Sequence, residues 1–461
     1  MVSINRLIAE FAVNLTYDDL PEAVVKETKR FVFDSIGCAL GATQTHDAKI
    51  MRDVLKVLGG ESQATVMGWG DRNNIVNTAF MNALLVRGMD YNDIYWEQDP
   101  SHPSDIIPAS LAVGELEGSS GKELIVSIVL AYEFEQRLCE FAFPGIRERK
   151  WHHATLTQFV SPIAAGKLLG LNVDQMVHAV GISACHNFTP GKVTAGDLTM
   201  MKNTVDPMAT RSGVMAALMA KHGYEGPEEI YEGKEGFFDT FSYTGIEFKP
   251  EILTEGLGDS FRIMRCGMKA FPTEALTHSF ITGTLALVTE HDIKPHEIEE
   301  LTVKTVARAV DILADPTKYD PQTRETADHS LPYVVAASIV DRMVTPEQFT
   351  PERIQDPNIR ALLPKIKAVA DPELEKQFPA KKPCDIIIKT TDGRTLTHHV
   401  EYPIGDPRLP IPPDQLDNKF NALAKSLFSS EKLAELKEAI WNLETFASTA
   451  DFMQLTVGNL A

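Results

Sequence analysis

At 461 residues, with 44% hydrophobic and 23% charged side chains, the chain has ordinary globular composition and length for about two domains. Its formal charge of −20 argues against a nucleic-acid binder, since phosphates would be repelled over most of the surface. Small anions stay possible wherever Lys, Arg and His gather locally, because a diffuse acidic surface is screened over about 10 Å.

From the N-terminus, Met1–Arg6 passes straight into an amphipathic pattern without the features of a secretory signal, so a cytosolic protein is expected. Pro21 opens the first long helix, in which Val24, Thr28, Phe31, Val32, Ser35 and Ile36 recur at helical spacing up to Gly37 or Gly41. Further helices are predicted over Ile75–Val86, Lys122–Ala142, Thr155–Leu169, Val173–Asn187 and Pro207–His222. The longest apolar runs, such as Leu124–Tyr132, fall well short of the ~20 residues that a membrane helix needs. No alternating strand stands out in the first ~260 residues, so this part reads as all-α.

The pattern changes after Ile263. Ala275–Glu290 is helical, but Glu299–Val306 alternates, with Leu301, Val303 and Thr305 on one face. Helices are predicted over Leu331–Arg342 and Asn358–Val369. Cys384–Thr390 then pairs with Arg394–Glu401 across Thr391-Asp392-Gly393, a hairpin turn signal. A Pro-rich stretch from Tyr402 to Pro413 precedes a last helical region, Asp414–Phe446. The expected fold class is therefore mainly α: a large helical domain, residues 1–266 and 401–461, with a smaller α+β domain, 267–400, inserted as a lid. Clefts between domains favour small-molecule sites.

The five cysteines, Cys38, Cys139, Cys185, Cys266 and Cys384, are scattered and form no CxxC pair. This argues against a disulfide framework, a structural zinc site and a cysteine-held iron–sulfur cluster. Chemistry would then fall to side chains, and five polar segments could carry it. Met89–Trp96 with Ser101–Asp105 mixes carboxylates, His102 and two proline-fixed turns beside large aromatics, which can move a pKa toward working pH. The plain alternative is a capped helix–loop–helix connection. In Trp151-His152-His153, adjacent histidines on a regular element diverge, so one at most should face a given site. Lys202 before Pro207 reads as a solvated charge or a carboxylate clamp. Arg265–Glu274 sets a cation and an acid around a Phe-Pro turn, and would otherwise be a domain hinge. Arg324–Tyr333 opens a helix whose N-terminus would cap or hold an anion.

The phosphate, dinucleotide, nucleophile-elbow and zincin motifs are absent. The constellation of strings is more specific. Leu20-Pro21…Asp34-Ser35-Ile36-Gly37-Cys38, Met89-Asp90-Tyr91-Asn92-Asp93…His102-Pro103-Ser104-Asp105 and Ala164–Leu171 resemble the MmgE/PrpD family. So do Lys269-Ala270-Phe271-Pro272 and Asp328-His329-Ser330-Leu331-Pro332-Tyr333. The resemblance runs from near Leu20 to near Phe420.

It implies a helical body with an α+β lid, a homodimer, no metal and no organic cofactor. It also implies action on a small polycarboxylate at the carbon beside a carboxylate. By motif, Asp90, His102, His153, Lys202, Lys269 and Tyr333 fall at active-site positions. Lys202 and Lys269 would clamp carboxylates, His102 and His153 would transfer protons, Asp90 would tune a histidine, and Tyr333 would donate a hydrogen bond. Asn92, Asp93, Ser104, Glu274 and His329 are expected to contact substrate.

Four positions depart from the family pattern: Ile94-Tyr95 stand where dehydratases have Thr-Trp, His152 where an Asp is usual, and Glu274 where decarboxylases have a His. Glu274 leans the expected reaction toward dehydration of 2-methylcitrate or an analogue. Cis-aconitate-type decarboxylation and epimerisation of a dicarboxylate are the alternatives. Two other classes stay open: a metal-dependent lyase or hydrolase using Asp90, Asp93, His102 and Asp105, and a non-catalytic polycarboxylate binder.

Overall fold

Capping residues punctuate the helical run where the polar–apolar pattern says they should. Ser3 accepts the Arg6 amide, Asn74 the Asn77 amide, and Ser120 with Glu123 and Asn172 with Gln175 form reciprocal capping boxes. The helices are α1 (Ile4–Asn14), α2 (Glu22–Ala42), α3 (His46–Leu58), α4 (Ile75–Arg87), α5 (Ile107–Glu117) and α6 (Gly121–Glu140). α7 (Ala154–Leu168), α8 (Val173–Ala184) and α9 (Val205–Lys221) follow. This computed structural model describes residues 2–195 and 198–458. The chain divides into two units: Met1–Val193, Met201–Cys266 and Pro412–Ala461 in the larger, Thr194–Met200 and Gly267–Ile411 in the smaller. No helix among the described residues is long and apolar enough to cross a membrane.

In the larger unit α4, α5 and α7 are buried on nearly every face, as helices that are apolar all round must be. α9 packs against α4, α7 and α8. Its approach to α7 is close, for a Cβ built on Gly213 would lie 2.3 Å from the Ser161 Cβ. Gly213→Ala is expected to push the two helices apart and cost about 1–3 kcal/mol. Urea denaturation checks this, and an unchanged midpoint would show that the pair can slide freely.

Several expectations are corrected here. α2 runs through Gly37 and Gly41 to Ala42. These glycines serve close packing rather than termination: a Cβ would meet the Phe420 ring at 2.9 Å and Leu423 and Met89 at 2.8 Å. The helical region also contains short strand pairs, including a hairpin of β1 (Asp93–Trp96) and β2 (Pro100–Ser101), with Tyr95 opposite Ser101. Two-residue pairings are too short to register as alternation.

The smaller unit holds helices α10 (Thr277–Glu290) and α11 (Leu331–Asp341) and a four-stranded sheet. The strands β3 (Ile298–Thr305), β4 (Ile366–Ala370), β5 (Cys384–Thr390) and β6 (Thr395–Val400) lie in the order β6-β5-β3-β4. β5 is antiparallel to both β6 and β3, whereas β3 and β4 are parallel. β3 buries Leu301, Val303 and Thr305, as its alternation predicts. The helix expected over Asn358–Val369 is not formed. A short helix stops at Arg360, Pro364 interrupts the run, and Ile366–Ala370 pairs with β3 instead. In the larger unit, Pro412–Ala461 adds α12 (Pro413–Ala424) and α13 (Ser430–Trp441).

Candidate functional site

Buried ionisable groups converge in the larger unit from the end of α4, the loops beyond it and the starts of α7 and α9. α4 ends in Arg87, which is only 4% exposed. Three residues on, Asp90 adopts a left-handed backbone, φ 52°, a strained choice for a non-glycine residue. That turn brings its carboxylate back onto Arg87 Nη1. The other oxygen of Asp90 accepts from Lys202 Nζ at 3.3 Å. Lys202 is 2% exposed, so it is no solvated charge. Its neighbour Asn203 donates to Asp47 at the start of α3 at 2.9 Å, which fixes the lysine's approach. From α12, Lys419 pairs with Asp34 at 2.6 Å and donates to the Tyr91 carbonyl at 2.7 Å, bracing the segment that carries Asp90.

The loop from Asn92 to Asp105 is held from within. Asp93 accepts from the Ser104 amide at 2.9 Å and the Ser104 hydroxyl at 2.6 Å, while Asn92 donates to Ser104 and to Asp105. Burial raises the Asp93 carboxyl to about 6, with the Ser104 bonds opposing it. The Asp93 carbonyl faces His102 Nδ1 at 2.6 Å. A carbonyl can only accept, so Nδ1 carries the proton and Nε2 the lone pair in the neutral ring. The three expected substrate contacts Asn92, Asp93 and Ser104 thus form a clasp that orients His102.

His153 stands at the start of α7, its ring centre 5.5 Å from that of His102. Its Nε2 lies 3.3 Å from Asp206 Oδ1, on the first turn of α9. His152 does not diverge from it as adjacent histidines on a regular element would. The two rings lie against each other, centres 3.9 Å apart and tilted by 34°, because they occupy the irregular entry to the helix. His152 Nδ1 accepts the Ala154 amide, and burial, then the neighbouring His153, holds its pKa well below the usual value. Both nitrogens of His153, Nε2 of His152, Nε of Arg87, and one oxygen each of Asp105, Glu135 and Asp206 are buried without a hydrogen-bond partner among the described residues. Such a concentration of unpaired polar atoms marks a place where a polar ligand or ordered water belongs.

Arg87 is the electrostatic hub. Besides Asp90, it lies 3.7 Å from Asp105 and 3.9 Å from Asp206. Burial opposes its charge, but the three carboxylates hold its pKa above the ordinary arginine value. Burial would also raise Asp206, yet His153, His152 and Arg87 together keep it below the carboxylate range. Asp105 goes the other way, raised well above it by burial and by Asp206. His152, His153 and Asp206 offer ligand atoms within 4.8 Å of one another, close enough to share a cation. The guanidinium of Arg87 already supplies positive charge to that carboxylate, which disfavours a metal ion there. The alternative ligand set Asp90, Asp93, His102 and Asp105 is spread over separate partners: Arg87 and Lys202, Ser104, a carbonyl, and Asn92.

Glu135, on α6, is a further buried acid. Burial raises it to about 8 against a hydrogen bond from Thr157. The folded protein keeps a proton there that the unfolded chain gives up above its ordinary value of 4.5, so stability is lost as pH rises from about 4.5 to about 8. Glu135→Gln, which can still accept from Thr157, is expected to raise Tm relative to the parent, by an amount that grows between pH 5 and pH 8. Paired melting curves would check it, and a pH-independent difference would sink the assignment.

In the smaller unit, Lys269 is 2% exposed. The Glu274 carboxylate accepts the Leu276 amide at 2.7 Å. His329 Nδ1 sits 2.5 Å from Asp328, which orients that ring. Tyr333 lies in the core of this unit and donates its hydroxyl to the Gln348 carbonyl. That bond occupies the phenolic proton expected to reach a substrate. Arg87, Asp206 and Glu135 are ionisable residues that sequence reasoning missed. The available signal was a charged residue inside, or ending, an otherwise apolar helix.

Helical and α+β units of this kind, with a buried histidine pair ringed by cations and carboxylates, define a class that sequence comparison then identifies. Residues 6–249 match the MmgE/PrpD N-terminal domain and residues 271–445 the MmgE/PrpD C-terminal domain. The chain belongs to the MmgE/PrpD family. It is 26% identical over 480 residues to the cis-aconitate decarboxylase-like protein oryM of Aspergillus oryzae, covering 98% of this chain and 97% of that protein. With cis-aconitate decarboxylase of Mus musculus it shares 25% over 468 residues, 99% and 94% of the two chains. With 2-methylcitrate dehydratase of Salmonella typhi it shares 24% over 452 residues, 87% and 85%.

Proposed function

We propose that the protein is a lyase that acts on a small polycarboxylic acid by side-chain acid/base chemistry, and that it dehydrates 2-methylcitrate or a close analogue. The observation that carries this reading is the pair of buried imidazoles, His102 and His153, 5.5 Å apart between ring centres and set among Lys202, Arg87 and their carboxylates. One imidazole removes the proton from the carbon beside a carboxylate. The other protonates the departing hydroxyl, so that water leaves and a double bond remains. Lys202 holds a substrate carboxylate through a charge-assisted bond. The whole machine works as a homodimer.

A second reading, decarboxylation of cis-aconitate, is favoured by the comparisons. The two decarboxylase-type relatives align with 98% and 99% of the chain, the Salmonella typhi dehydratase with 87%. Here a C–CO₂ bond breaks and the same acid delivers a proton to carbon.

NMR of the purified protein in D₂O with 2-methylcitrate, citrate, cis-aconitate and iminodisuccinate separates the readings. A new alkene from methylcitrate supports dehydration, and loss of CO₂ from cis-aconitate replaces it with decarboxylation. Deuterium entering beside a carboxylate without elimination replaces it with epimerisation. Silence on all four withdraws these substrates. Turnover is expected to survive EDTA; loss restored by a divalent ion would transfer the protein to the metal-dependent class.

A further inference from the structure

We infer that Asp206 is the positioning residue of His153, fixing it as the Nε2–H tautomer so that Nδ1 is its reacting nitrogen, opposite to His102, which reacts through Nε2. The inference rests on the acid/base reading of this site and assigns its atoms.

The argument begins with what faces each ring. At His102 the Asp93 carbonyl, 2.6 Å from Nδ1, demands a proton on that nitrogen. At His153 the Asp206 carboxylate lies 3.3 Å from Nε2, an ion-pair contact rather than a hydrogen bond. An imidazole lone pair turned toward an ionised carboxylate at that distance is repelled, whereas an N–H is attracted, so the proton belongs on Nε2. Two features keep Asp206 able to impose this choice. Arg87 Nε lies 3.9 Å from its other oxygen, and the next acid, Asp105, is itself 3.7 Å from the same guanidinium.

Neither nitrogen of His153 makes a hydrogen bond among the described residues, so the choice falls to electrostatics: Nε2 has the Asp206 carboxylate within 3.3 Å, and Nδ1 is buried and left to meet a ligand. An unpartnered lone pair in the interior is costly unless a ligand meets it. The adjacent His152 does not serve: its Nδ1 accepts the Ala154 amide and its Nε2 makes no hydrogen bond among the described residues. Mirror-image tautomers held by two different acceptors give the two imidazoles distinct roles. The sequence alone offers no means of telling them apart.

The test uses the full protein labelled with ¹⁵N-histidine, recorded at alkaline pH where the rings are neutral. His102 and His153 signals are assigned by their loss in His102→Gln and His153→Gln. The expected result is a proton on Nε2 and a lone pair on Nδ1 for His153, with the reverse for His102. A proton on Nδ1 of His153 overturns the proposal without any variant at Asp206 having to fold. In turnover, Asp206→Asn is expected to lower kcat about 10²-fold or more with a smaller change in KM, and Asp206→Glu to recover part of it. An Asp206→Asn protein that keeps kcat within about threefold and leaves the His153 spectrum unmoved also overturns it. If the parent turns over none of the polycarboxylates, the proposed function fails, while the spectrum still decides the tautomer.

Discussion

His102→Ala is expected to lower turnover by about 10²–10⁴-fold, the usual worth of a positioned proton-transfer group. The ring is 6% exposed and its centre lies 5.5 Å from that of His153, so solvent cannot readily replace it. Its Nδ1 is tied to the Asp93 carbonyl, which leaves Nε2 as the basic atom. Truncation also strands that carbonyl in the interior, at a cost of about 1–3 kcal/mol. The rate must therefore be measured per folded molecule, by NMR turnover alongside a melting curve. His102→Gln separates the two effects, because its amide can donate to the carbonyl but cannot take a proton. Recovery of Tm without recovery of rate is the expected outcome. If His102→Ala, folded, turns over within about threefold of the parent, the residue's proton-transfer role is wrong.

The helical class of the first unit was readable because α4, α6, α7 and α9 are long and mostly apolar, and α4 and α6 also carry capping residues at the right offsets. β3 was readable from alternation, and the β5–β6 hairpin from Asp392-Gly393. β4 was not, because Ala, Leu and Lys around it favour a helix locally. The sheet edge presented by β3 overrides that preference. The same divide runs through the site. His102, His153 and Lys202 announced themselves as polar side chains in polar strings. Arg87, Glu135 and Asp206 sit on helices whose apolar pattern hides them, and only packing shows that Arg87 and Asp206 meet. The close contact of the His152 and His153 rings was likewise illegible, because adjacent side chains converge only where the backbone leaves regular geometry.

Arg87→Met carries the largest expected stability effect. The methionine keeps much of the side chain's apolar bulk but deletes a buried charge that faces Asp90, Asp105 and Asp206. Removing one partner from a buried ionic cluster costs about 3–5 kcal/mol, because the charges left behind are neither solvated nor paired. Here part of that cost is absorbed. Lys202 stays 3.3 Å from Asp90, His153 stays 3.3 Å from Asp206, and Asp105 is already raised toward its neutral form. The pH dependence distinguishes this cause from simple misfit. In the parent, Asp206 is held below the usual carboxylate range, so its contribution to stability is present above that range and lost as pH falls through it. In the variant that hold weakens and the folded carboxyl pKa moves up. The deficit should therefore be widest at neutral and alkaline pH and should narrow as acid protonates the stranded carboxylates. Urea titrations of both proteins at several pH values would measure it. A loss below about 1 kcal/mol, or one that stays constant with pH, would mean that Arg87 does not hold the carboxylates together.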